Sequence, residues 1–269
     1  MRGGWLRAYA LLYLVFLFAP ILLLPLFAFN DASVIAFPLT GFTTHWFQEL
    51  WTTEALHQAL RNSLVIAVLN SLIATLLGVC AARATSGPAF PGKRGILGFI
   101  MLPLVLPEIV IAVSLLVVVR QVLDLQLSNV TVILAHVVIS LPFSIAILNG
   151  AFANLDPAFE EAAQDLGETR WGAFRLVTLP LVFPGIISSL LICFIISLDD
   201  FVLAQFLTGA NPTLPVYIYG LTRFVKSLPV IMALGTLLVA LSITLLVIAE
   251  YFRRRGVARA GLKDSGGFL

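Results

Sequence analysis

The chain has 269 residues, 60% of them hydrophobic and 11% charged, with a mean hydropathy of +1.03. A soluble domain carries about a quarter charged residues, so this composition describes an integral membrane protein. The net charge of +2 is small and the cations fall in short clusters, which gives no nucleic-acid-binding surface.

In chain order, the first run, Ala8 to Asn30, is free of charge. At about 1.5 Å per helical residue it exceeds a hydrocarbon core of roughly 30 Å. It is too long for a signal-peptide core of about 7 to 15 residues. It reads as an uncleaved first span in which Pro20 and Pro25 are tolerated as kinks. The polar, aromatic stretch Asn30 to Arg61 is expected to be an external loop, partly an interfacial helix, with a turn at Phe37 to Phe42 and with Trp46 and Trp51 as headgroup-level anchors. Further spans are expected at Asn62 to Ala82, Ile96 to Val119, Val130 to Phe152, Leu181 to Leu203 and Val230 to Tyr251. The fold class is therefore all-α and polytopic, with six spans and residues 1–269 forming one transmembrane domain. Cys80 and Cys193 lie in apolar runs and read as small buried hydrophobes.

Lys and Arg distribute unevenly about these spans: twelve lie on one side and four, Arg61, Arg120, Arg223 and Lys226, on the other. The excess marks the cytoplasmic face, so both termini are expected inside, and so is the loop Asp156 to Pro180.

That loop is the least membrane-like part of the middle of the chain and reads as two short helices. Asp156 can cap the first, Pro157 suits its first position, Glu160 favours its positive end, and Gly167 supplies a left-handed stop. Phe159, Ala162, Ala163 and Leu166 fall at helical spacing on one apolar stripe, with Glu160, Glu161 and Asp165 around it. Thr169 can cap the second helix, on which Trp171, Phe174 and Thr178 share a face and which Pro180 is expected to end. The spacing fits either a helix pair folded against the membrane or a docking element for another protein.

Three acidic side chains fall within the spans away from a cytoplasmic end: Glu108 in the third, Asp199 and Asp200 in the fifth. An ionised group at mid-bilayer costs at least about 2.5 to 3.5 kcal/mol, so such groups face a bundle interior or a wet cavity. Pro103 and Pro107 are expected to unwind the backbone beside Glu108. Adjacent carboxylates on a helix point about 100° apart, so one of Asp199 and Asp200 is expected to face the pathway while the other serves structure. Phe201, Tyr217 and Tyr219 come shortly after, and rings beside carboxylates suit an organic ammonium ion. His136, alone in the fourth span, reads as a core side chain with one satisfied nitrogen. Asn70, Ser71, Ser114, Ser140 and Ser144 read as interhelical hydrogen-bonding residues. No phosphate-cradling Gly-x-x-x-x-Gly-Lys-Ser/Thr, His-Glu-x-x-His or Gly-x-Ser-x-Gly motif is present in the sequence. No catalytic residue, metal site or cofactor is therefore expected on this chain.

Glu161-Ala162-Ala163, Gly167 four residues on, and Leu179-Pro180 together resemble the EAA loop of bacterial ABC importer permeases. The resemblance implies the type I importer fold. It also implies that Phe159, Glu160, Glu161, Ala162, Ala163, Asp165, Leu166 and Gly167 form a coupling helix seated on a cytoplasmic ATPase. Ser197-Leu-Asp-Asp200, Leu214-Pro-x-x-Ile-Tyr219 and Pro107-Glu108-Ile-Val look like the polyamine (spermidine and putrescine) importer permeases, specifically the second of their two permease subunits. That likeness implies a bacterial inner-membrane complex with a second, different permease, two ATPase subunits that carry ATP and Mg, and an external solute-binding protein. The chain departs from the spermidine members in having Glu108 where they have Asp. Importers of an opine, a phosphonate or iron remain alternatives, as does a channel or ion-gradient carrier with His136 and Glu108 as relay residues.

Overall fold

The computed structural model describes residues 2–86 and 91–259. Among these residues there are twelve α-helices in chain order: α1 (Arg2–Ala28), α2 (His45–Thr52), α3 (Glu54–Ser86), α4 (Lys93–Met101), α5 (Glu108–Val117), α6 (Asn129–Ala153), α7 (Ala158–Asp165), α8 (Arg170–Ala173), α9 (Leu179–Asp199), α10 (Val202–Leu207), α11 (Leu214–Leu221) and α12 (Leu228–Arg259). No strand forms among the described residues, only an isolated bridge between Asn30 and Phe42. Five helical stretches are long and apolar enough to cross a membrane, and a sixth is a bent pair. Contacts divide the chain into two compact units, 1–54 with 218–269, and 55–217.

In the first unit α1 packs on α12, and α2 packs on α12 as well. Pro20 and Pro25 lie inside α1 without ending it. The loop after α1 closes on Asn30, whose Oδ1 accepts the Thr40 amide at 3.1 Å and whose carbonyl accepts the Trp46 indole N–H at 2.7 Å. Trp46 is thus buried as a loop-closing donor rather than exposed as a headgroup anchor, while Trp51 is exposed.

The second unit holds the remaining spans. The segment from Glu54 to Asn62, expected as part of an interfacial loop, contains no Pro or Gly and continues straight into the second span as one 33-residue helix. Helices α3, α6 and α9 meet through small and polar side chains. Asn70 Nδ2 donates to Ser140 Oγ at 3.0 Å and to the Cys193 carbonyl at 2.9 Å. Ser189 Oγ lies 2.9 Å from Thr75 Oγ1 and 2.8 Å from Ser144 Oγ. Between apolar helices in lipid, close approach and such bonds drive association, at roughly 0.6 kcal/mol per bond. Ser71 instead bonds its own helix at Val68. Cys193 is buried as expected, whereas Cys80 lies on an exposed face of α3.

The prolines of the third span unwind it as expected, whereas that of the fifth does not act as expected. The third is not continuous: α4 tightens into a 3₁₀ turn at Leu102–Leu104, the chain bends by 105°, and α5 restarts at Glu108. Pro107 cannot donate a helical hydrogen bond, and its ring crowds the preceding turn, so the break falls there. Conversely, Pro180 does not end a helix. Residues 170–199 form one stretch because a π-helical turn at Phe174–Thr178, directly before the proline, widens the backbone enough to accept its ring.

Candidate functional site

Two places in the second unit gather the sequence-derived candidates. The first is the segment around α7. Asp156 Oδ1 accepts the Ala158 amide at 3.0 Å, Gly167 adopts φ +95°, and Thr169 Oγ1 accepts the Gly172 amide at 3.0 Å, so both caps and the stop stand as the sequence indicates. The apolar stripe of α7 divides. Ala163 is buried against the chain's own helices, whereas Phe159, Ala162 and Leu166 are exposed, Leu166 by 88%. Nearby, exposed Trp171 stacks on Phe174 with centroids 5.6 Å apart.

The carboxylates divide likewise. Glu161 and Asp165 face outward. Glu160 turns inward, accepting from Arg83 Nη2 of α3 at 2.8 Å and from the buried Thr178 hydroxyl. Arg83 also lies over the Phe174 ring, 5.5 Å from its centroid. Burial alone would raise the Glu160 carboxyl, but the bonds from Thr178 and Arg83 and the Arg83 charge outweigh it and hold the group below the ordinary carboxylate value. Glu160 therefore ties α7 to two membrane helices. A cleft of about 1100 Å³ opens beside this tie, lined by Arg83, Lys93, Glu160, Glu161 and Arg170 among others.

The second place lies where the broken third span meets the end of α9. Of the adjacent aspartates, Asp199, the last residue of α9, is exposed, and Asp200, just beyond the helix, is buried. Asp200 leaves the helix with extended backbone, and its Oδ1 accepts the Ala204 amide at 3.1 Å, which caps α10. Glu108, first residue of α5 and exposed on this chain, comes within hydrogen-bonding reach of Asp200. Two carboxyl groups this close repel when both are ionised, and either a shared proton or a cation between them relieves the repulsion. An apolar cluster that includes Ile111, Ala112, Ala135, Leu203 and Leu207 packs α5, α6 and α10 together.

His136 also belongs to this place. It is 1% exposed, with Nδ1 2.7 Å from Ser197 Oγ and Nε2 3.3 Å from Asp200 Oδ1. Burial and the Ser197 bond agree with a core histidine that has one satisfied nitrogen, but the second nitrogen faces the acid pair. Ser197 lies on α9 and Asp200 just beyond its end with extended backbone, so no helical spacing in the sequence signals that His136 joins the site.

The aromatic candidates are not gathered in the same way. Phe201 and Tyr217 are half-buried in the second unit. Tyr219 belongs to the first, where the Arg223 guanidinium lies 5.6 Å from its ring centroid. Among the described residues no group of three or more His, Cys, Asp and Glu side chains has metal-binding geometry.

Comparison with known proteins places these features in a family. Residues 74–257 match the family described as binding-protein-dependent transport system inner membrane component. The chain is 33% identical to the spermidine/putrescine transport system permease protein PotC of Shigella flexneri, over 99% of this chain and 97% of that one. It is 34% identical to the putrescine transport system permease protein PotI of Escherichia coli K12, over 88% and 86%. A probable molybdenum ABC transporter permease of Haloferax volcanii is 37% identical over a shorter stretch, 62% of this chain and 65% of that one. In fold, the chain resembles a bacterial ABC transporter that imports the acidic polysaccharide alginate, with a TM-score of 0.74 at 17% identity, covering 93% of this chain and 96% of that one.

Proposed function

This chain belongs to the binding-protein-dependent transport system inner membrane components and is a membrane-spanning transport subunit rather than an enzyme; we propose that it carries polyamines inward as one of two unlike permeases driven by ATP. Its partners in this reading are the second permease, two cytoplasmic ATPase subunits that bind ATP and Mg, and an external solute-binding protein. Both termini and α7 lie on the cytoplasmic side, as the twelve-to-four distribution of cations supports.

The observation that carries the cargo is the close pair Glu108 and Asp200 in the membrane-spanning unit. Such a pair favours a cation and repels an anion, which weighs against an oxyanion cargo despite the molybdenum relative. Alternating access arises from rigid-body rocking: closure of the ATPase dimer moves α7, the Glu160 tie passes that motion to α3 and to helix 170–199, and the latter ends at the acid pair.

Two experiments test the two halves. In the complete complex reconstituted in vesicles, Glu108→Gln with Asp200→Asn is expected to lower spermidine and putrescine uptake by tenfold or more, on the order of 1.4 kcal/mol per decade, while basal ATP hydrolysis persists. Unchanged uptake removes the pair from the pathway. For the docking face, Leu166→Asp puts a charge where an exposed apolar side chain would enter a partner, at a position 88% exposed and hence neutral for the chain's own fold. Membranes carrying it are expected to lose co-purification of the ATPase. Full recovery of the ATPase would place the contact elsewhere.

A further inference from the structure

His136 is buried, ionisable and unused by the transport cycle just described, and its two nitrogens are treated differently. Nδ1 is held by the Ser197 hydroxyl at 2.7 Å. Nε2 lies 3.3 Å from Asp200 Oδ1 without the alignment of a formed hydrogen bond, so this edge of the imidazole sits directly beside the carboxylate. The same oxygen accepts the Ala204 amide. Oδ1 is thus claimed from two sides, by the first turn of α10 and by the imidazole edge on α6, and Oδ2 is left as the oxygen to offer to Glu108 or to a cation. An aspartate held by the amide alone would retain rotation about its terminal torsion, because that torsion is broad and roughly two-fold.

We propose that His136 is the positioning residue of the cation site, its ring pinned by Ser197 so that Nε2 fixes the orientation in which Asp200 faces Glu108. The inference rests on the reading that Glu108 and Asp200 lie on the cargo's path. His136 itself touches no cargo: it sets the direction of the carboxylate that does. Ser197 is the second member of the device, because without its hydroxyl the imidazole is free to turn Nε2 away from Asp200. The arrangement links three elements around Asp200, α6 through His136, α9 through Ser197, and α10 through Ala204, so the direction of the carboxylate depends on how these helices are packed.

The test uses the complete complex with its ATPase, second permease and binding protein in vesicles, and reads spermidine uptake as KM and kcat separately. His136→Phe keeps volume and removes both nitrogens; it is expected to raise KM about tenfold, the scale of one charge-assisted interaction, with kcat changed less than threefold. His136→Gln returns a donor near the Nε2 position and is expected to recover KM to within about threefold of the parent. Ser197→Ala is expected to fall between the two. An unchanged KM in His136→Phe, or an equal loss in His136→Phe and His136→Gln, overturns the proposal, since a packing role depends on volume and not on a donor. The Glu108→Gln, Asp200→Asn variant run alongside separates the two levels. If it transports normally, the acid pair is not on the path. If it fails while His136→Phe does not, only the positioning role is lost.

Discussion

Gly78→Val is expected to destabilise the packing of the second unit. A Cβ at residue 78 would lie 2.0 Å from Ser144 Oγ, 2.9 Å from Ser144 Cβ and 3.1 Å from Leu148 Cδ1, distances that oblige α3 and α6 to separate. Ser144 cannot simply rotate away, because its hydroxyl bonds Ser189 of α9 at 2.8 Å, and Ser189 bonds Thr75 of α3 at 2.9 Å. One methyl group therefore strains a three-helix contact and opens a chain of hydroxyls, and the further methyls of valine deepen the conflict. Overpacking of this kind costs about 1 to 3 kcal/mol, and the separated hydroxyls add roughly 0.6 kcal/mol for each bond lost. The melting temperature of the detergent-purified complex should fall by several degrees, and the yield of inserted protein with it. Gly150 gives the internal control: a Cβ there meets nothing within 4 Å, so Gly150→Ala should leave the melting temperature unchanged or raise it slightly. The pair Gly78→Ala with Ser144→Gly should recover much of what Gly78→Ala alone loses. A Gly78→Val protein with parental stability would mean that α3 and α6 do not approach as closely as these distances require.

That contact is hidden from the sequence, and the reason is general for a chain in lipid. Hydropathy locates spans because the bilayer sets their length, and the caps around α7 are legible because Asp156, Gly167 and Thr169 act on backbone within a few residues. Which faces of the spans meet depends on small and polar residues that recur throughout the apolar runs, and nothing local separates Gly78 from Gly150. The prolines illustrate the same limit. The 105° break at Pro107 follows the unwinding expected beside Glu108, whereas the π-helical turn that absorbs Pro180 is not expected from the sequence. In the site, the sequence sets one of Asp199 and Asp200 apart from the other, but only the structure shows that Asp200 is the buried one. The meeting of Glu108 with Asp200 spans 92 positions and that of His136 with Asp200 spans 64, separations at which periodicity carries no information.

Glu160→Ala is expected to separate ATP hydrolysis from transport. The side chain is placed among the coupling residues by sequence, yet it faces inward and bonds Arg83 at 2.8 Å and the Thr178 hydroxyl, so its removal releases α7 from α3 and from helix 170–199 at once. Thr178 is 1% exposed and would be left with a buried hydroxyl that has lost its acceptor. Arg83 would keep only its place over Phe174. Leaving a buried polar group unpaired costs about 1 to 3 kcal/mol, and the partly exposed ion pair adds at most about 1 kcal/mol. The rest of the bundle can bear that loss, so the protein should insert and still recruit its ATPase through exposed Phe159 and Leu166, in contrast to Leu166→Asp. What should fail is transmission: solute moved per ATP hydrolysed in vesicles is expected to drop by tenfold or more while hydrolysis continues. Because the folded-state carboxyl is held below its ordinary value, its contribution is complete above the unfolded value. It should decline as pH falls below the usual carboxylate range and be gone once pH has dropped through the lowered value. Glu160→Gln keeps an acceptor for Thr178 and loses the charge, so it should couple partially and without that pH dependence. Arg83→Ala placed on top of Glu160→Ala should cost little more than Glu160→Ala alone, as expected of two groups that act through each other. An unchanged transport-to-hydrolysis ratio in Glu160→Ala would show that motion reaches the membrane helices by another route, with the 170–199 stretch carrying it directly through its own π-helical turn.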